Sequence, residues 1–355
     1  MADLRNLSFA ELAALLATYG EPSFRAKQLF AWLHNRQIND LAEAHNISHR
    51  LVERLTEDGY GIHPPHCMRR QVSKDGTEKY LLELEDGLLI ECVLMKYRGD
   101  YSKQRNTLCV SSQVGCAMGC SFCATGTLGF SRQLSVAEIL GQVYASNALL
   151  KEDAEPMQVR NLVFMGMGEP FANFDAVMKA IEILCDKRGA DMAQRRMTIS
   201  TCGLVPEIKR FADLQTDIGL AISLHASNDE TRQALMPVDK TYPLADLMEA
   251  CHYYCNKTGR RISFEYALIA GVNDGKKEVS ELVHLVKGID CHFNIIPVNP
   301  VSGKNFSKPS VQASRAFQQK LTAHGLLASI REEKGADIDG ACGQLKANYL
   351  KPLSS

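Results

Sequence analysis

Three cysteines in one short run, Cys116-x3-Cys120-x2-Cys123, are the residues most able to do chemistry in this chain. Three thiolates that close in sequence can hold one soft metal centre, yet three leave a tetrahedral iron or zinc one ligand short. A structural zinc site is closed by a fourth ligand, whereas a reactive centre keeps a position open for substrate or cofactor. The chain carries twelve cysteines in 355 residues. It shows no membrane-length apolar run, and Asp3, Arg5 and Glu11 stand where a secretory leader would have its apolar stretch. A cytoplasmic protein is expected, with no membrane partner. In that compartment clustered cysteines read as metal ligands or redox thiols rather than staples. Cys67, Cys185, Cys251, Cys255 and Cys291 lie in amphipathic or strand-like contexts and read as inert thiols.

The elements that must position the cysteine loop alternate. Residues 1–65 read as a helical unit. Ser8-x-x-Glu11 is a capping box ahead of Leu12, Leu15, Leu16 and Tyr19. Ala26, Leu29, Phe30 and Leu33 mark a second helix, and Leu51, Val52 and Leu55 a third; Pro64-Pro65 closes the unit. Residues 66–106 form a linker with a β-hairpin, 77–84 and 88–95, turning at Glu85-Asp86-Gly87. From 107 to 335 strands are expected at 107–112, 161–165, 196–200, 218–223, 262–268 and 291–296. Helices fall between them, among them those opened by Ser135-x-x-Glu138 and Ser227-x-x-Glu230. Six βα units imply an α/β fold with a parallel sheet, flat or rolled into an incomplete barrel. Residues 336–355 are a loop and tail.

In such architectures reactive groups gather on loops at the carboxyl ends of strands. The cysteine loop follows the first strand and Gly166-Met167-Gly168-Glu169-Pro170 the second. Ser200 ends the third, Ser223-Leu224-His225 the fourth, and Asn299-Pro300 lies past the sixth. The glycines would let backbone approach a ligand closely, and the Glu169 carboxylate could receive an ammonium group. Arg195-Arg196 and Arg260-Arg261 precede strands, at the opposite rim, and read as solvated.

The cysteine loop with a GxGE turn after the next strand resembles the radical S-adenosylmethionine (SAM) superfamily. Three longer runs resemble the RlmN family in particular: Cys109-Val110-Ser111-Ser112-Gln113-Val114-Gly115-Cys116, Phe164-Met165-Gly166-Met167-Gly168-Glu169-Pro170, and Asp337-Ile338-Asp339-Gly340-Ala341-Cys342-Gly343-Gln344-Leu345. Gly340 stands where that family usually has alanine. The resemblance implies a partial (β/α)6 TIM-type barrel with an N-terminal helical accessory domain and a short β extension. It also implies a 4Fe–4S cluster on Cys116, Cys120 and Cys123, with SAM at the fourth iron. Gly168, Glu169, Ser200, Ser223, Leu224, His225 and Asn299 fall at the family's SAM-contact positions.

The implied activity is methylation of adenine carbon 2, at adenosine 2503 of 23S rRNA and adenosine 37 of tRNAs. That carbon lies between two ring nitrogens and is electron-poor, so a methyl cation does not add there but a carbon radical can. By the resemblance Cys342 takes a methyl group from one SAM. A second SAM, cleaved at the cluster, yields a 5′-deoxyadenosyl radical that abstracts hydrogen from this methyl. The methylene radical joins RNA to the enzyme; Cys109 then assists proton removal and forms a disulfide with Cys342. Glu91, in Ile90-Glu91-Cys92-Val93, falls at the proposed proton acceptor. A carbon-8 methyltransferase of similar spacing, a zinc module, and a radical SAM enzyme acting on protein or small molecules are the alternatives.

The net charge of −1 gives no global nucleic-acid signature. RNA would be met locally, by Lys96, Arg98, Lys103 and Arg105, by Lys304 and Lys308, and by the N-terminal helices. A monomer served by an external electron donor, flavodoxin or similar, is expected.

Overall fold

The computed structural model describes residues 2–99, 104–299, 301 and 305–345. Lys103, Pro300 and Lys304, and residues 346–355 of the tail, lie outside them. The first helix, α1 (Phe9–Thr18), begins at the capping box read from its sequence. Glu11 N donates to Ser8 Oγ at 3.4 Å and Ser8 N to Glu11 Oε2 at 2.7 Å. Helix α2 (Ser23–Ala31) buries Ala26, Leu29 and Phe30, runs into a π-turn at Trp32–Arg36, and stops at left-handed Gln37. Helix α3 (His49–Glu57) follows. A buried ion pair, Arg5 Nη2 to Asp3 Oδ2 at 2.6 Å, fastens both ends of this unit, because the same carboxylate oxygen accepts from His63 N at 2.9 Å.

Ten strands then form one sheet. Strands β1 (His66–Val72), β2 (Glu78–Glu83) and β3 (Leu89–Tyr97) run antiparallel and pass the sheet to β4 (Arg105–Cys109). The hairpin is therefore a three-stranded extension of the main sheet. Helix α4 (Val136–Glu152), with its Ser135/Glu138 capping box intact, leads to β5 (Val159–Phe164) and α5 (Phe174–Cys185). Next come β6 (Met197–Thr201), α6 (Val205–Asp213), β7 (Gly219–Ser223), α7 (Asp229–Leu235) and α8 (Leu244–Thr258). The last elements are β8 (Ile262–Leu268), α9 (Lys276–Leu285), β9 (Cys291–Pro297), α10 (Val311–Ala323) and β10 (Leu327–Ile330). Strands β4 to β10 are all parallel to one another, and the sheet runs β1 to β10 in chain order.

Each of the six expected strands is present within two or three residues. Strand β10 is a seventh: four half-exposed residues carry too little alternation to be seen from sequence. The second edge of β4 is taken by β3, so the rolled sheet stays open. Helix α7 also differs in its start. Asn228, not Ser227, caps it by accepting from Thr231 N at 3.0 Å, because the Ser227 hydroxyl is spent on Glu281 Oε2 at 2.6 Å. His34 in the accessory unit is fully buried and meets the Tyr144 hydroxyl of α4 at 2.8 Å, which docks the helices on the barrel. No helix among the described residues is long and apolar enough to cross a membrane.

Candidate functional site

The carboxyl ends of β4 to β9 open onto one cavity of about 360 Å³. Cys116, Cys120 and Cys123 line it, all half-buried and all free thiols. Burial pushes the Cys116 thiol up to about 11 and Cys120 further. A metal bound there must therefore drive off the protons, as its own charge does. Among the described residues no three His, Cys, Asp or Glu side chains are placed to hold a single ion. Thiols spread round a shared cavity suit the corners of a polynuclear cluster better than one zinc.

Gly166 and Gly168 of the turn after β5 line the cavity, and they also make room for neighbouring protein. A Cβ on Gly166 would sit 2.7 Å from the carbonyl of Val110, and one on Gly168 (φ +101°) 2.5 Å from Cβ of Gln113. The turn thus nests against the chain leaving β4, and Gln113 Oε1 accepts from Glu169 N at 2.8 Å. Gly166→Ala is expected to cost about 2 kcal/mol or more, since both opposing atoms are backbone; urea unfolding reads it.

The turn aims Glu169 inward. Its carboxylate is buried, accepts from Phe171 N at 3.0 Å and Cys202 N at 2.8 Å, and is pushed up by burial. Ser200, Ser223, His225 and Asn299 share the cavity wall, whereas Leu224 is buried behind it and contributes backbone, its N–H donating to the Glu265 carbonyl at 3.0 Å. Asn299 Nδ2 donates to the Cys342 carbonyl at 3.1 Å, and its Oδ1 is a buried acceptor with no partner among the described residues. An unsatisfied oxygen on a cavity wall calls for a donor from a bound group. Together with the Glu169 carboxylate, this acceptor oxygen fits the amino and hydroxyl groups of SAM.

His225 sits at a left-handed φ of 58° and turns Nδ1 onto Ala267 N at 2.9 Å. Nδ1 is therefore the acceptor and the ring is neutral. Burial pushes His225 down to about 3, and His34 likewise. Both values lie below the ordinary histidine range, so the unfolded chain binds the extra protons. Their stabilising contribution is complete above pH 6.5 and is lost as pH falls toward 3. The stability should drop by about 1.4 kcal/mol per pH unit for each ring within that window. Urea midpoints measured from pH 7 to 4 check it, and His34→Gln should halve the slope.

Cys109 ends β4, pairs in register with Val93, and lines the same cavity; burial pushes its thiol up to about 12. Cys342 also lines it and is accessible from the open mouth. Protein crowds that thiol enough to raise it, with the Arg331 guanidinium pulling the other way. All twelve cysteines are free thiols. No two of them lie near disulfide distance, so the structure does not support the Cys109–Cys342 disulfide that the resemblance implies at the end of turnover.

Glu91 is buried on the cavity-facing side of β3, one pleat beyond Val93, and pairs with Lys79 Nζ at 3.3 Å. It does not line the cavity itself. Three cations of the basic stretches face carboxylates of the chain. Lys96 pairs with Glu78 at 2.6 Å and Glu155 at 3.0 Å, Arg98 with Glu155 at 3.4 Å, and Lys308 with Glu333 at 2.5 Å.

Several site residues carry no sequence signal. Arg331, just past β10, and Glu265 on β8 line the cavity, 4.0 Å apart. Arg232 is completely buried beneath it. Its guanidinium bonds Asp239 at 2.7 Å and donates to the carbonyls of Cys202 at 2.7 Å, Leu224 at 3.2 Å and Ser223 at 3.3 Å. One cation thus ties together the exits of β6 and β7.

Comparison with known proteins agrees with this geometry. Residues 2–60 match the ribosomal RNA large subunit methyltransferase N-terminal domain, and residues 110–285 the radical SAM superfamily. A probable dual-specificity RNA methyltransferase RlmN from Heliobacterium modesticaldum is 48% identical over 97% of this chain and 89% of its own length. One from Lachnospira eligens is 45% identical over 99% and 98%. The chain belongs to the RlmN family of radical SAM RNA methyltransferases. Within the solved structures, a radical SAM methyltransferase from Sphaerobacter thermophilus superposes with a TM-score of 0.92 at 42% identity, over 98% of this chain and all of that one. Membership makes the cluster-and-SAM reading of the three loop cysteines the superfamily's own, and sets aside the zinc module.

Proposed function

We propose that this enzyme methylates carbon 2 of adenosine 2503 in 23S rRNA and of adenosine 37 in tRNAs, using two SAM molecules per turnover. One observation carries the reading: Cys342 and Cys109, 233 residues apart by subtraction of their numbers, share a cavity wall with the cysteine loop. A radical SAM enzyme that only cleaved its cofactor would need neither thiol.

The residues divide the work. Cys116, Cys120 and Cys123 would hold the 4Fe–4S cluster, while Glu169 would orient the SAM amino group and Asn299, Ser200, Ser223 and His225 its ribose and base. With cluster and SAM bound, a carbon radical would become available inside this cavity. Cys342 would first take a methyl group on sulfur, where the open mouth gives it access, with S-adenosylhomocysteine as the leaving group. That carbon would then bond to the adenine. Its bond to the Cys342 sulfur would break once the carbon-2 proton has left, the external donor returning the sulfur to a thiol. Cys109, opposite, would assist removal of the carbon-2 proton. Glu91 would take it up, held in place by Lys79. An external donor such as flavodoxin would supply the electron.

RNA from cells lacking the protein should contain no 2-methyladenosine in 23S rRNA or tRNA by nucleoside mass spectrometry. Persistence of the nucleoside refutes the reading, and a methyl located on carbon 8 would move it to the related resistance enzymes.

A further inference from the structure

We infer that the turn between β1 and β2 clasps the loop that carries Cys342, with Asp337 as its positioning residue. The inference rests on the proposed role of Cys342 as methyl carrier and gives the β extension a task in the reaction.

The turn is self-built. Ser73 N donates to the Thr77 carbonyl at 2.8 Å, Thr77 N to Asp75 Oδ1 at 2.8 Å, and Asp75 N to Ser73 Oγ at 3.3 Å. From this frame it reaches across more than 250 residues of sequence. The Ser73 hydroxyl donates to Asp337 Oδ1 at 2.5 Å and Lys74 N to Asp337 Oδ2 at 3.2 Å. Gly335 N donates to Asp75 Oδ2 at 3.1 Å. One strand further on, Lys79 Nζ donates to the Asp339 carbonyl at 3.3 Å while pairing with Glu91. Gly335 (φ 67°) and Asp339 (φ 51°) bracket the short turn Ala336–Ile338 in left-handed conformations. A Cβ on Gly335 would meet Thr77 Cγ2 at 2.9 Å.

The other end of the loop is held by the cluster side. Ala124 N donates to the Gly343 carbonyl at 2.7 Å, the Thr125 hydroxyl to the Leu345 carbonyl at 2.9 Å, and Asn299 to the carbonyl of Cys342 itself. The thiol therefore hangs between two anchor points, with Gly340 and Ala341 as the span between them. Cys342 must meet a methyl donor and then a base, so its reach matters more than its mere presence. A displacement on the order of 1 Å can cost about a hundredfold in such a transfer. Asp337 touches no reacting atom; it fixes where the span begins.

The test uses the full chain with its cluster reconstituted, and reads two products together: 2-methyladenosine in RNA and free 5′-deoxyadenosine. In Asp337→Ala, methylated adenosine per deoxyadenosine should fall roughly tenfold or more, with deoxyadenosine release retained. Asp337→Asn should recover most of that ratio, because its amide oxygen still accepts the Ser73 hydroxyl. An unchanged ratio in Asp337→Ala, or an equal loss of both products, overturns the clasp. Peptide mass spectrometry of the wild-type enzyme separates the two levels of argument. A methyl on Cys342 alongside an unchanged ratio sinks the clasp alone, whereas an unmethylated Cys342 sinks the proposed function and the clasp with it.

Discussion

Cys342→Ala is expected to lower adenine methylation by about a thousandfold or more while 5′-deoxyadenosine continues to form. The substitution removes the sulfur that would carry the transferred carbon and leaves no neighbour able to replace it. Cys109 and Cys202 are the other described thiols lining the cavity outside the metal loop, and burial pushes both up, so neither is a ready thiolate at neutral pH. The loop itself should survive. Its anchors to Ala124 and Asn299 are the backbone carbonyls of Gly343 and residue 342, which alanine keeps. Cofactor cleavage and adenine methylation should therefore part company, and quantifying both nucleosides in one reaction shows it. Full turnover by the variant would return the enzyme to the class that acts without a methyl-accepting cysteine.

The largest loss of stability is expected from Arg232→Met, about 3–5 kcal/mol. The guanidinium is wholly buried, as is its partner Asp239, and removing it strands a carboxylate and the carbonyls of Cys202, Ser223 and Leu224. Burial already pushes the Asp239 carboxyl up even with the cation present. Without it the acid would fold protonated or not at all. Replacing both partners, Arg232→Met with Asp239→Leu, should recover part of the loss, since two matched apolar groups leave fewer orphans than one broken pair. Chemical denaturation of the three variants measures this directly, and equal stabilities would remove Arg232 as the tie between β6 and β7.

What could be read from sequence was what short range decides. The capping boxes at Ser8 and Ser135 formed because both members lie within one helical turn. The cysteine spacing and the strand-end polar residues were visible because βα units repeat their layout. The misreadings share one cause, a partner remote in the chain. Ser227 lost the cap to Asn228 because Glu281, 54 residues on, claimed its hydroxyl. The ion pairs of Lys96 and Arg98 with Glu78 and Glu155 were likewise invisible from spacing. So was the close packing of the Gly166–Gly168 turn on the chain leaving β4, in a turn that also lines the cavity. Arg331, Glu265 and Arg232 left no pattern because their roles come from meeting, not from spacing.

The sequential strand order has a consequence for synthesis. By the time β9 has emerged from a ribosome, the thiols for a cluster and most of the wall that would receive SAM have been made, yet Cys342, the proposed carbon carrier, is still some 45 residues away. Interrupted translation of this protein is therefore expected to yield fragments that methylate no RNA.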